Sequence, residues 1–177
     1  MVDATVDGLM DNLHINTGIF SLIGRAKADV KVKGLVDQGE PISIDGTAST
    51  EDLDLGKIMS MEILGPVTLR TGLKAELGEK KSARIDSLFV DRLHVNRYDY
   101  SGIKASGALS ENMFNGTIIA SDPNLNFILQ GGFALSAKTQ NARYKFYANV
   151  SDADLNAINI DKRGRSKLRF QTNANFT

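Results

Sequence analysis

Apolar and polar residues alternate along most of this chain with a period of two. Val67, Leu69, Thr71, Leu73, Ala75 and Leu77 share one face, and Thr68, Arg70, Gly72, Lys74 and Glu76 share the other. A strand with one buried and one wet side requires this alternation. Ala26, Ala28, Val30 and Val32 against Lys27, Asp29, Lys31 and Lys33 read the same way. Ile42-Ile44 and Leu53-Leu55 are shorter versions. Apolar spacing of the helical kind is confined to about one turn, near Lys57 to Met61.

Parity sharpens the prediction between Ile103 and Val150. Residues paired across a hairpin point to the same face, so an even loop moves the buried set between odd and even positions. Ile103, Ala105, Gly107 and Leu109 are odd, and Phe114, Gly116, Ile118 and Ala120 are even. Ser110-Glu111-Asn112-Met113 between them reads as a four-residue loop. Ser121-Asp122-Pro123-Asn124 is a second such loop, rich in turn formers. After it the set returns to odd: Leu125, Phe127, Leu129, Phe133, Leu135 and Ala137. Gln140-Asn141 then serves as a two-residue turn pairing Thr139 with Ala142, and Tyr144, Phe146, Ala148 and Val150 are even again. The pattern predicts an antiparallel meander that keeps one apolar face. Gly131-Gly132 leaves the parity unchanged and reads as a bend inside one long strand. From Leu125 to Ala137 that strand would span roughly 40 Å, which suits a broad, bent sheet.

Composition agrees with an all-β chain. Sixteen Gly and many Asn, Asp, Ser and Thr supply turns, and 177 residues suffice for a single domain over 1–177. Twenty-one basic and 21 acidic residues cancel, which argues against a nucleic-acid partner. There is no Cys, hence no disulfide framework, thiol nucleophile or thiolate metal site. No apolar run reaches the ~20 residues of a membrane-spanning helix. Both ends alternate, Val2-Asp3-Ala4-Thr5-Val6-Asp7 and Leu168 to Thr177, so the chain reads as part of something longer. Asp11-Asn12-Leu13-His14-Ile15-Asn16 resembles Asp91-Arg92-Leu93-His94-Val95-Asn96, with Glu51-Asp52-Leu53-Asp54-Leu55-Gly56 between. Leu13, Leu53 and Leu93 are thus evenly spaced, and Asp152-Ala153-Asp154-Leu155 is a fourth copy at another interval. Such matches suggest added sheet units, although an Asp- and Leu-rich chain also produces them by chance.

Candidate chemistry is sparse. His14 and His94 occupy equivalent repeat positions, but no ligand spacing supports a metal, and solvated strand positions are the favoured reading. Asp152-Ala153-Asp154-Leu155-Asn156 opens like a calcium loop, yet Ala157 replaces the required Gly and Arg163 replaces the bidentate Glu. A turn at a strand end fits better. The basic run Lys162 to Arg169 suits either anionic headgroups or, more often, a solvated hairpin tip with Gly164 in the turn. No nucleophile–base set, phosphate loop or cofactor motif is present, so an enzyme is not expected.

Ser49-Thr50-Glu51-Asp52-Leu53-Asp54-Leu55-Gly56-Lys57-Ile58 and Val150-Ser151-Asp152-Ala153-Asp154-Leu155-Asn156-Ala157-Ile158-Asn159-Ile160 resemble the repeated strand-end segments of the TamB/AsmA-like family. Phe127-Ile128-Leu129-Gln130-Gly131-Gly132-Phe133-Ala134-Leu135-Ser136 is similar to the family's long strands. The likeness covers most of the chain in texture. It implies a U-shaped, taco-like sheet with an apolar interior. The parent protein would cross the periplasm of a Gram-negative bacterium, anchored in the inner membrane by a segment outside this chain, with an outer-membrane barrel as partner. The roles implied are phospholipid transport between membranes and the assembly or secretion of outer-membrane proteins. The family carries no catalytic motif and no cofactor.

The expected groove is lined by Leu69, Leu73, Ile118, Phe127, Leu129, Phe133, Leu135, Tyr144 and Phe146, and its cargo is phospholipid or a hydrophobic β-strand. The alternatives are a closed β-sandwich serving as a structural or adhesive surface module, and a piece of an outer-membrane barrel, for which aromatic girdles are missing.

Overall fold

The computed structural model describes residues 1–9, 11–36, 41–78, 81–110, 113–134 and 144–176. The predicted alternation becomes strands almost throughout. They are β1 (Val2–Leu9), β2 (Asn12–Ser21), β3 (Gly24–Lys33), β4 (Ile42–Asp54), β5 (Leu64–Leu77), β6 (Lys81–Val95), β7 (Tyr98–Tyr100), β8 (Ile103–Ser110), β9 (Met113–Asp122), β10 (Leu125–Ala134), β11 (Tyr144–Asp154) and β12 (Lys167–Phe176). One helical turn, α1 (Leu55–Met59), follows β4, close to the turn expected from the sequence.

All strands belong to one antiparallel sheet in chain order, with the short β7 pairing only the end of β6. β1 and β12 are its two open edges. Among the described residues, substantial contacts join only strands adjacent in this order, plus α1 against β5. The sheet therefore does not close, and no second layer of the expected alternative sandwich lies on it.

The parity argument holds in the register. Leu109 faces Phe114, Gly107 faces Gly116 and Ile103 faces Ala120; Phe127 then faces Ala120 and Phe133 faces Phe114. The connections are tighter than expected. Ser110 pairs Met113, so the first predicted loop contributes its first and last residues to the ladder; Ser121 pairs Asn126 and Asp122 pairs Leu125, so the second contributes its first two residues and leaves Pro123-Asn124 as the turn. Gly131 and Gly132 lie inside β10 with no register break on either side. The expected turn at Gln140-Asn141 and the strand's continuation to Ala137 lie outside the described residues.

Alternation of burial gives the sheet its two sides. In β3 the apolar positions are half-buried or buried while Arg25, Lys27, Asp29, Lys31 and Lys33 are exposed. With no second layer, this asymmetry is that of a sheet curled toward its apolar side. Register shifts at Thr50/Leu53, Ile85/Leu88, Asn126/Phe127 and Val150/Ala153 bend the strands further.

Candidate functional site: an uncovered apolar face

The register assembles the apolar side into rows running across the strands. One row reads Val2, Ile19, Ala26, Thr50, Leu69, Val90, Ile103, Ala120, Phe127, Val150 and Phe170. Only Thr50 in it is polar. The next row begins Ala4, Thr17, Ala28, Ala48 and Thr71, all small side chains. The row beyond starts Val6, Ile15, Val30, Gly46 and Leu73. The small row is thus flanked by larger residues, and at ~4.8 Å per strand it forms a shallow gutter roughly 19 Å long from β1 to β5.

Eight of the nine expected lining residues share this face. Leu69 and Phe127 are in the first row. Ile118 faces Leu129 in the second. Leu73 and Phe146 are in the third, joined through Ile85, Gly107, Gly116 and Gly131. Phe133 and Tyr144 continue the side set by Leu129 and Phe146, and all eight are half-buried. Leu135 lies outside the described residues.

A choice of lining residues by size passes over the glycines that shape the face. The Phe114 ring lies over Gly107 and Gly116, where an added Cβ on either would stand 2.7 Å from Cζ. The ring also meets Phe133, with centroids 5.2 Å apart. Gly116 and Phe114 were visible as one parity set in the sequence, but which glycine lies beneath which ring depends on the cross-strand register.

One rim of the sheet is clasped. Asn96 Nδ2 donates to the Asn159 carbonyl at 2.7 Å, and Asn159 Nδ2 donates to the Asn96 carbonyl at 3.0 Å. Both residues have left-handed backbone, which Asn tolerates. The Tyr100 hydroxyl donates to the Ile158 carbonyl at 3.5 Å, and Ile158 is fully buried. Beside this clasp sits Asp122, only 5% exposed. Its Oδ1 accepts from the Tyr98 hydroxyl and from Asn124 N–H; its Oδ2 accepts from Ser101 N–H at 2.9 Å and Ser101 Oγ at 3.1 Å. Burial pushes this carboxyl up, but the donated hydrogen bonds outweigh it and hold it below the usual carboxylate range. Burial and the Asp122 contact push the Tyr98 phenol up. Nothing in local spacing announces these contacts, because Asn96 and Asn159 are distant in the chain.

The opposite face is wet and paired. Lys74 meets Asp45 at 3.2 Å, Arg25 meets Glu51 at 3.1 Å and Arg92 meets Asp52 at 3.5 Å. These exposed pairs set solubility and register more than stability. A depression of about 630 Å³ lies across β9 to β12, lined by Asn115, Gln130, Lys145 and Tyr147 of this side together with Phe114, Gly131 and Phe146.

The remaining sequence candidates fall into separate places. His14 is near the start of β2 and contacts Asp29 at 2.6 Å; His94 is near the end of β6 and contacts Asp99 at 2.7 Å. They lie on opposite rims and form no pair. Asp152 contacts Arg169, Asp154 caps a turn, and Arg163 contacts Asp161, so the calcium-like stretch is a strand end and its turn. Lys162 to Arg165 are exposed in the connection before β12, with Gly164 at φ +131°, and Lys167 to Arg169 begin that strand.

The even spacing of Leu13, Leu53 and Leu93 is corrected in part. Leu53 and Leu93 both face Val67, whereas Leu13 faces Val32 near the other rim. The structural equivalence is between the Asp54 and Asp154 copies. Each follows a register shift, and each Asp accepts a hydrogen bond from the N–H three residues on.

Comparison with family models, curated proteins and solved structures finds no match to this chain.

Proposed function

We propose that this chain is a non-enzymatic segment of an envelope protein, similar to the TamB/AsmA-like family, whose apolar sheet face holds phospholipid acyl chains on their way between membranes. The supporting observation is the uncovered face itself: apolar rows that cross eleven strands without a second layer. From β1 to β6 the face is built from Val, Ile, Leu, Ala, Thr and Gly, and its aromatic rings are gathered in β9 to β12, so the β1–β6 end fits a flexible aliphatic chain better than a flat ring. Each methylene withdrawn from water contributes ~0.8 kcal/mol, and no directional contact is needed. The polar outer face keeps such a segment soluble in an aqueous compartment, for which the periplasm is the proposed place.

Native mass spectrometry of the purified chain, with extraction of bound lipid, tests this reading. Phospholipid adducts are expected, and Leu129→Asp or Phe133→Asp should remove them while the fold persists. A clean protein mass, or adducts unchanged in both variants, would sink the lipid reading and favour a structural module.

A further inference from the structure

The clasped rim carries the same capped turn twice, packed once and left open once. Asp54 Oδ1 accepts from Lys57 N–H at 3.1 Å, and Asp154 Oδ1 accepts from Ala157 N–H at 3.0 Å. Four residues past each Asp stands an isoleucine. Ile158 is 0% exposed, whereas Ile58 is 52% exposed. Met59, Met61 and Ile63 beside Ile58 are exposed as well. The neighbouring connection adds Leu22, which at 105% stands entirely in solvent. The two connections touch, since Asp54 N–H donates to the Ile23 carbonyl at 2.7 Å. The capped turn alone therefore does not explain the exposure. At Ile158 the Tyr100 and Asn96 region supplies a cover, and no such cover faces Ile58 among the described residues.

We propose that Leu22, Ile58, Met59, Met61 and Ile63 form a tip that docks on the surface of a lipid bilayer. Three observations select lipid over a protein partner. The tip is formed by the ends of two connections, and its residues lie outside the depressions lined by Gln130, Thr47, Ser106 and Arg84. Its apolar side chains are all aliphatic, with Glu62 exposed among them, and it lacks the Trp and Tyr anchors that centre protein interfaces. Unbranched Met and a protruding Leu adapt to a fluid phase that presents no fixed shape. Third, the flanking cations are already paired, Lys57 with Asp54 at 3.4 Å, Arg25 with Glu51 and Arg92 with Asp52, and the exposed carboxylate of Glu62 offers no attraction to anionic headgroups. The attraction is thus apolar, and neutral headgroups satisfy it. Inward from the tip, Leu53, Val67 and Leu93 form a cross-strand row leading to the apolar face. Resting on the lipid-holding reading, docking at this rim would set the face against the bilayer from which an acyl chain enters.

Flotation with phosphatidylcholine vesicles is the test. The chain should rise with the vesicles, equally at low salt and at about 0.5 M salt, where surface charge attraction is screened within a few ångströms. The triple variant Leu22→Ser/Ile58→Ser/Met59→Ser should lose about tenfold or more of this binding, by removal of apolar contact area. Its thermal melt and its co-purified lipid should match the parent. Leu129→Asp should float normally while losing co-purified lipid, which separates docking from the holding of acyl chains. Docking is refuted by absence of flotation, or by flotation undiminished in the triple variant. Flotation that needs anionic lipid and vanishes in salt would assign the contact to the basic Lys162–Arg169 stretch instead. A parent that is dimeric by sedimentation, does not float, and becomes monomeric in the triple variant would assign the tip to a second copy of this chain.

Discussion

Asp122 is the one buried charged residue among the described residues, and its carboxylate has a donor at every turn: Tyr98, Asn124 and Ser101. Replacing one partner of such a network leaves the others unsatisfied, at about 1–3 kcal/mol. The pH dependence follows from the lowered carboxyl. Its folded pKa lies below the unfolded value of 3.8, so its stabilisation is complete above that value and fades as pH falls through the folded one. Urea midpoints of the parent should be level between about pH 5 and 8 and should fall below about pH 4. Asp122→Asn should be less stable at neutral pH and show a shallower acid fall. A residual slope is expected, because Asp29, Asp54 and Asp161 are also held low, chiefly by hydrogen bonds from His14, Lys57 and Arg163 respectively. An equal acid slope in the variant would remove Asp122 from this role. Gly116 makes a steric counterpart. Its backbone is ordinary, but a Cβ there would press into Gly107 Cα at 2.6 Å and the Phe114 ring at 2.7 Å. Gly116→Ala should cost about 1–3 kcal/mol, read as a lower urea midpoint, as overpacking does in a core. An unchanged midpoint would show that both the ring and the facing β8 backbone, whose Ser106 carbonyl oxygen would stand closest to that Cβ, shift aside freely.

The turns on the clasped rim show what the sequence could and could not reveal about the elements. Asp54 and Asp154 were legible as members of a repeat, because a short polar cap followed by a leucine is a local signal. Leu109 opposite Phe114 was legible too, since loop parity constrains register without any knowledge of the fold. Most of the expected face followed from that constraint. The bulges were not legible. A register shift such as Thr50/Leu53, with Asp52 at φ 48°, adds a residue without changing composition or period around it. Nor was the Asn96–Asn159 clasp, which depends on where two distant connections end in space. That clasp is testable as an element. Asn159→Gly keeps the left-handed backbone at φ 61° and removes the amide that serves the carbonyls of Asn96 and Arg97. Loss of those two bonds should cost about 1–2 kcal/mol in global or local stability. Hydrogen exchange should accelerate at Ile158 and Ile160, whose N–H groups bond within the turn, and not in β3 or β4. Uniform acceleration along the sheet would mean that the clasp supports the whole molecule and not one rim.

At the scale of the whole molecule, the sheet behaves as a one-dimensional object. Among the described residues, and apart from the contacts of the clasped rim, each strand leans mainly on the strands beside it, so stability is close to a sum of neighbouring strand interfaces. Those interfaces are unequal. Among the described residues, Val67, Val90, Phe114, Ala120, Ala148, Ala153 and Ile158 are buried apolar residues at or after β5, while Val32 alone is buried before it. β1 is exposed along its entire length, with Val2, Val6 and Leu9 in solvent. A conventional globule would unfold as one unit, because every element rests on a shared core. Here the chain from β5 to β11 holds the packed part and the clasp, and β1 to β3 are held mostly by ladder hydrogen bonds and half-buried small residues. Native-state hydrogen exchange should therefore show a gradient of protection, lowest at the edges β1 and β12 and highest across β6, β8 and β9. Urea unfolding followed by backbone signal should be broad, losing the β1–β3 end before the clasped end. A single sharp transition with equal protection from β2 to β10 would overturn this account. A gradient would also bear on the proposed lipid-holding role. The gutter of Ala4, Thr17, Ala28, Ala48 and Thr71 runs across the less packed end, where strands can separate slightly around a chain of varying thickness. Phospholipid held along the whole face should accordingly raise protection around Leu129 and Phe133 in β10 and also in β1 to β4, with the larger rise in β1 to β4, where protection without ligand is lowest.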